Sequence, residues 1–238
     1  MTLSNQRAIV TGATQGIGRA IVDELIRCGI PVGLIARDPD RLAACVDSIR
    51  QQGGEAHGYV LDLTQVEALP QALATIVEDF GECSILINNA GMAHVGPLAS
   101  TSLADWQRIM SLNVTAALAC MQAVIPGMRH RHQGTIINMI SIAGKQTFPN
   151  WGAYCASKFA LLALSRALAQ EEAANGIRVT SICPGAVATP LWDSVAVDFD
   201  RGKMLSPETV AALVMQAILL PPEAVLEEIV LMPAVGTL

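Results

Sequence analysis

Short apolar runs recur along the chain at 8–10, 32–36, 56–60, 85–87, 135–140, 179–183 and 229–232, with 56–60 the least apolar. None of them alternates apolar with polar positions. Short runs of three to six mostly apolar residues bounded by Gly, Pro or polar residues suit strands buried on both faces, as in a parallel sheet. Between them the apolar period lengthens. Ile17, Ala20, Ile21, Leu25 and Cys28 share one face of a helix that Gly29 ends. Asp38 and Pro39 supply an N-cap and a first helical residue for a helix reaching about Gln52. The segments 69–80, 103–128, 151–175 and 207–219 also read as helices. Strand and helix alternate from end to end, which predicts right-handed βαβ crossovers and one doubly wound α/β domain over 1–238. The only long irregular stretch after the glycine-rich loops is 184–206, whose part from about 186 is expected to form a short substrate lid.

In an open α/β sheet, ligands bind at the carboxyl ends of the strands. The unusual residues of this chain follow the apolar runs directly. They are Thr11-Gly12-Ala13-Thr14-Gln15-Gly16-Ile17-Gly18, Arg37-Asp38, Asp62-Leu63, Asn88-Asn89-Ala90-Gly91, Ser141 and Pro184-Gly185. Gly12 permits a tight turn, Gly16 a close approach of backbone to a pyrophosphate, and Gly18 close packing of helix on strand. The helix starting near Ile17 then presents free N–H groups to phosphate. The spacing, TGxxxGxG, is wider than the usual dinucleotide fingerprint. After the second strand an acid would select the free ribose hydroxyl of NAD. Here Arg37 can pair with a 2′-phosphate, and Asp38 has a capping role, so NADP(H) is expected over NAD(H). Tyr154 and Lys158 lie four apart on one helical face. A tyrosine working near neutrality needs its pKa depressed by about 3 units, and a neighbouring ammonium has the right sign to help.

Composition narrows the alternatives. Apolar residues make up 52% of the 238, aromatics number nine (four Phe, three Trp, two Tyr), and mean hydropathy is +0.43. Such a chain is neither disordered nor collagen-like. A net charge of −6 argues against a nucleic-acid or anionic-membrane partner. The uncharged stretch 109–128 is long enough to span a bilayer, but Ser111, Asn113, Thr115 and Gln122 make it a buried helix instead. Residues 1–7 carry no apolar signal core and the six cysteines form no CxxC pair, so a cytoplasmic protein with reduced thiols is expected. His130 and His132 lack the accompanying ligands of a metal site, and no metal is expected.

Taken together, TGATQGIG at 11–18, Asp62-Leu63, NNAG at 88–91, Asn113, Ser141, YCASK at 154–158 and PGAVAT at 184–189 resemble the short-chain dehydrogenase/reductase family over the whole chain. The resemblance implies a Rossmann-like, seven-stranded parallel sheet. It implies Tyr154 as general acid/base, Ser141 as holder of the substrate oxygen, and Lys158 as the group that lowers the Tyr154 pKa and binds the nicotinamide ribose. Asn113 would interrupt a helix and hold a relay water. Asp62 and Leu63 would sit at the adenine, Asn89 near its ribose, and Ala90 and Gly91 along the cofactor. Pro184, Gly185, Val187 and Thr189 would hold the carboxamide.

Met92, His94, Phe148, Trp151 and Trp192 are expected to wall a largely apolar substrate pocket. Family members that reduce 3-oxoacyl groups on acyl carrier protein often carry TRD after NNAG and an Arg before the glycine preceding the sixth strand. Here those places hold MAHVG and Asn175-Gly176, with Arg129 and Arg131 as a small basic patch. A small-molecule carbonyl/alcohol oxidoreductase is therefore preferred to a 3-oxoacyl reductase, and the intact Ser141, Tyr154 and Lys158 set prefers it to an NADP(H)-sensing protein without turnover. The apolar segments 109–128 and 159–169 exceed what one core requires. In the family the matching helices pack on a neighbouring subunit, so a homodimer or homotetramer is expected.

Overall fold

A computed structural model describes residues 6–195 and 200–236. Seven parallel strands form one sheet in the order β3-β2-β1-β4-β5-β6-β7. They are β1 (Ala8–Thr11), β2 (Val32–Ala36), β3 (Ala56–Val60), β4 (Ile85–Asn88), β5 (Gly134–Met139), β6 (Ile177–Pro184) and β7 (Glu228–Leu231). The central strands are buried on both faces, as their unbroken apolar runs require. On one face α1 (Gly16–Arg27), α2 (Pro39–Gln51) and α7 (Pro207–Leu219) enclose a core that includes Ile21, Leu25, Leu34, Val46 and Val214. On the other, α3 (Leu69–Phe80) and α5 (Ala116–Arg131) enclose Leu73, Phe80, Leu86, Met121 and Ile136. α6 (Gly152–Glu172) packs along β6 on that side. Each fully buried aliphatic side chain contributes about 1.5–3 kcal/mol by leaving water.

The chain order reverses between β1 and β4, which are hydrogen-bonded neighbours. This is the switch point where an open α/β sheet leaves a crevice. The predicted helix over 103–128 is observed in three parts: α4 (Leu103–Met110), a π turn at Ser111–Thr115 and α5, which continues through Pro126 to Arg131. Among the described residues, Leu103–Arg131 is one run long and apolar enough to cross a bilayer by composition. It lies against the sheet instead, and its π turn buries the polar side chain of Asn113.

The two arginines of the expected basic patch at the end of α5 are both engaged, Arg129 by Glu172 and Arg131 by Glu82 at 3.9 Å. Arg129 grips the buried carboxylate of Glu172 with both Nε, at 2.9 Å, and Nη2. Arg131 donates to the Cys83 carbonyl at 2.7 Å. Both arginines also precede β5, at the end of the sheet opposite the crevice. The ends of the segment expected to form a lid are joined by backbone bonds: Ala188 N donates to Leu205 O and Leu205 N to Ala186 O. Positions 196–199 of the expected lid lie outside the described residues.

Candidate active site

A cleft of about 1120 Å³ opens at the carboxyl ends of the strands. Every site residue expected from the sequence lines it except Gly18 and Asn113, which stand directly behind its wall. The glycine loop leaves β1 and enters α1. Gly12 (φ +63°) and Gly16 (φ +53°) both have left-handed backbones. Gly18 is required by contact instead: a Cβ there would lie 2.2 Å from the Gly12 carbonyl oxygen. Thr11 ties this loop to the next one. Its Oγ1 accepts from the backbone N–H groups of Asn89 and Ala90, both at 3.0 Å. The Asn89 amide donates to the carbonyls of Thr11 (3.0 Å) and Gly12 (3.1 Å). Both hydrogens of the Asn89 amide are thus spent on joining the loops, which leaves only its carbonyl oxygen for a ribose.

The resemblance casts Asp62 as an adenine contact; in the structure one carboxylate oxygen, Oδ1, accepts from the Thr64 N–H at 2.9 Å and the Thr64 hydroxyl at 2.8 Å. Those bonds hold its pKa below the usual carboxylate range. Asp38 caps α2 as predicted, accepting from Arg41 N at 3.0 Å. Arg37 is exposed on the rim of the cleft. Arg41 also lines the cleft and has no counterpart in the expectations from sequence. Its position three residues past a capping Asp, on the first turn of a helix at the crevice, is the signal that points to it.

The catalytic candidates converge in one buried corner. Tyr154 and Lys158 sit one turn apart on α6, and Ser141, two residues past the end of β5, caps the short helical turn 142–144 in the same corner. Burial raises the Tyr154 phenol to about 12, opposed by its hydrogen bond with Ser141. Burial lowers the Lys158 ammonium to about 8. The expectation that Lys158 depresses Tyr154 therefore needs correction for the protein's own groups. Lys158 donates to the Met139 carbonyl at 2.9 Å, and its Nζ lies 5.8 Å from the centre of the Tyr154 ring. The direction of the Tyr154 shift is set by burial, which disfavours the phenolate, and the hydrogen bond with Ser141 opposes it.

Asn113 is 1% exposed, and its side chain is fully committed. Its amide donates to Met92 O (2.9 Å) and Ser157 Oγ (3.0 Å), and its carbonyl accepts from Met92 N at 2.9 Å. The side chain fastens the loop after β4 to α6. A relay water would have to use backbone, and a π turn loosens the helical pairing of the carbonyls there.

The substrate end is aromatic. Trp151 meets Tyr154 edge-on at 5.6 Å and Trp192 at 5.9 Å. Trp192 is fixed by donating Nε1 to the Val187 carbonyl at 2.8 Å. Phe148 and Trp151 pack on the same cluster as Tyr154, and Met92 and His94 also line the cleft. Thr189 reaches back to the glycine loop, its Cγ2 3.1 Å from where a Gly16 Cβ would stand.

The short chain dehydrogenase family model matches residues 6–198. The chain belongs to the short-chain dehydrogenase family. It is an NAD(P)-dependent dehydrogenase of the kind that acts on CH–OH groups. This short-chain dehydrogenase is 35% identical over 187 residues to 2-(S)-hydroxypropyl-CoM dehydrogenase 3 of Xanthobacter autotrophicus, covering 79% of this chain and 73% of the relative. Its structure is similar to that of a metagenomic short-chain oxidoreductase in complex with NADP, with a TM-score of 0.85, 32% identity, and 98% and 99% of the two chains covered. It is also similar to an alcohol dehydrogenase from Thermococcus sibiricus complexed with 5-hydroxy-NADP, with a TM-score of 0.88, 27% identity, and 96% and 97% covered.

Proposed function

We propose that this protein uses NADP(H) to interconvert a small-molecule ketone or aldehyde with its alcohol, with Tyr154 as general acid/base. The observation that carries the reading is the gathering of Ser141, Tyr154 and Lys158 in one buried corner of the cleft that begins at the glycine loop. The cradle fits a dinucleotide: glycines stand where side chains would collide, and Arg37 is exposed on the rim beyond β2. The NADP in the similar metagenomic structure supports the same cofactor. The nicotinamide supplies or accepts the hydride. Tyr154 gives a proton to the substrate oxygen in reduction and takes it back in oxidation. Ser141 Oγ hydrogen-bonds that oxygen and stabilises charge developing on it. Lys158 holds a positive charge beside the phenol and is placed to turn from Met139 to the nicotinamide ribose. Pro184, Gly185, Val187 and Thr189 line the nicotinamide end.

The walls at Met92, Phe148, Trp151 and Trp192 suit a hydrophobic or aromatic carbonyl compound. Pairing of Arg129 with Glu172 and of Arg131 with Glu82 (3.9 Å), both far from the cleft, favours a small molecule over an acidic carrier protein. The test is NADPH consumption against a panel of carbonyl compounds of graded size and charge. Aryl and alkyl ketones are expected to turn over fastest; a panel preferring highly charged substrates would overturn the apolar-pocket reading, and binding of NADPH without any turnover would favour a sensor.

Self-association belongs to the same reading. Only 39% of the most apolar window of Leu103–Arg131 is buried, and Phe159 on α6 is 42% exposed. A second copy laid over α4, α5 and α6 would bury both, giving a homodimer or homotetramer. Sedimentation at micromolar concentration is expected to show one of these, and a monomer there excludes the interface.

A further inference from the structure

Two cations lining the cleft, Arg41 and Arg108, have no task in the reading above; Arg108 is paired with Asp105 at 2.8 Å on its own helix, which leaves Arg41. We propose that Arg41 is a second reader of the cofactor's 2′-phosphate, and that by engaging Asp38 it converts a carboxylate that would select NAD into part of an NADP-selecting site. The inference rests on the NADP(H) reading and goes past it.

Arg41 stands on the first turn of α2 and reaches across to the glycine loop. Its Nη1 donates to Gln15 Oε1 at 2.8 Å. Its Nε lies 3.3 Å from Asp38 Oδ2, while its backbone N–H occupies Asp38 Oδ1. Both oxygens of Asp38 are therefore engaged, one by the helix and one by the guanidinium. A free carboxylate after the second strand accepts a ribose hydroxyl and repels a phosphate dianion. This one does neither while Arg41 holds it.

Gln15 provides an independent observation. It occupies the N-cap position of α1, yet its side chain makes no capping bond. Ser, Thr, Asp or Asn would be the usual choice there. The amide is spent on Arg41 instead, which restrains a long flexible side chain before any ligand arrives and so reduces the ordering entropy lost on binding. Nη2 makes no hydrogen bond among the described residues and is left to serve a phosphate oxygen. With Arg37 four residues earlier, two guanidinium groups face a group of nearly two negative charges, in the fork geometry that suits phosphate.

The test measures binding, by calorimetry on the full chain, of adenosine 2′,5′-bisphosphate and of 5′-AMP. Wild type is compared with Arg37→Ala, Arg41→Ala, Arg41→Lys and Gln15→Ala. Loss of a charge-assisted fork predicts that Arg41→Ala weakens the bisphosphate by about 10- to 30-fold. Binding of 5′-AMP should stay level or tighten, because Asp38 is released to the ribose. Arg41→Lys, which keeps charge without the fork, should fall between, and Gln15→Ala should cost a few-fold on the bisphosphate alone. If Arg41→Ala leaves the affinity ratio of the two ligands unchanged while Arg37→Ala lowers it, Arg41 is no reader and the NADP(H) assignment stands. Equal weakening of both ligands also overturns the inference, since it shows Arg41 merely supporting the loop. If wild type itself does not distinguish the two ligands, the NADP(H) assignment is what fails.

Discussion

Replacing Tyr154 by phenylalanine is expected to lower carbonyl reduction by about 10³-fold, the scale of general acid catalysis, while NADPH binding stays within about twofold. The substitution removes one hydroxyl and keeps the ring that meets Trp151 edge-on at 5.6 Å. Packing is preserved, so the loss reads on chemistry. A variant that keeps more than a tenth of wild-type turnover would refute Tyr154 as the proton donor. The pH profile adds a second readout, because kcat/KM for NADPH reports ionisations of the free enzyme. Burial lowers Lys158 to about 8, so its positive charge is present below that pH and is lost as pH rises through it. Tyr154, raised to about 12, remains protonated over the same range. Reduction should therefore decline above about pH 8. Lys158→Ala should be slow at every pH and show no such decline. A wild-type profile flat to pH 10 would contradict the assignment to Lys158.

The second large effect concerns architecture. Gly18→Ala places a Cβ 2.2 Å from the Gly12 carbonyl oxygen and 2.5 Å from the Asn89 amide nitrogen. Both belong to the seam between the loops after β1 and β4, and a backbone oxygen cannot swing aside as a side-chain tip can. Overpacking of this kind costs about 3 kcal/mol, near the upper end for a well-packed site. For a chain of this size that is a drop in Tm of about 9 °C. The glycine loop must move, so NADPH affinity should fall by tenfold or more. Gly29→Ala is the comparison: its φ is +74° but nothing lies within 4 Å of the added methyl. It should cost only about 1 kcal/mol, for the left-handed backbone. Thermal melts within a degree or two of each other for the two variants would show that the contact at Gly18 is not limiting.

These two sites mark where a linear reading succeeds and where it stops. Gly18 could be singled out in the sequence because its constraint is carried by a short motif between an apolar strand and an apolar helical face. The central strands were visible for a similar reason: a strand buried on both faces needs an unbroken apolar run, and the runs at 8–10, 32–36, 85–87 and 135–140 became such strands, while β3 and β7 at the sheet edges are only partly buried. Asp38 as a helix cap was equally local, three residues from the N–H it accepts. The π turn at Ser111–Thr115 leaves no local mark in composition, and only the resemblance anticipated an interruption at Asn113.

The sequence by itself determined the alternation of elements and the edge of the sheet on which polar and glycine-rich segments collect, and it singled out Ser141, Tyr154 and Lys158 as catalytic candidates. Tertiary structure alone decided how those side chains are spent. Asn89 is bound to Thr11 and Gly12, 78 and 77 residues earlier. Lys158 is turned toward Met139, and Arg41 is held by Gln15 across 26 residues. The division has a physical cause. Burial periodicity, caps and turns act over a few residues and are written in local order. Hydrogen-bond partners and desolvation depend on which distant segments the sheet brings within 3 Å, and no local pattern encodes that distance.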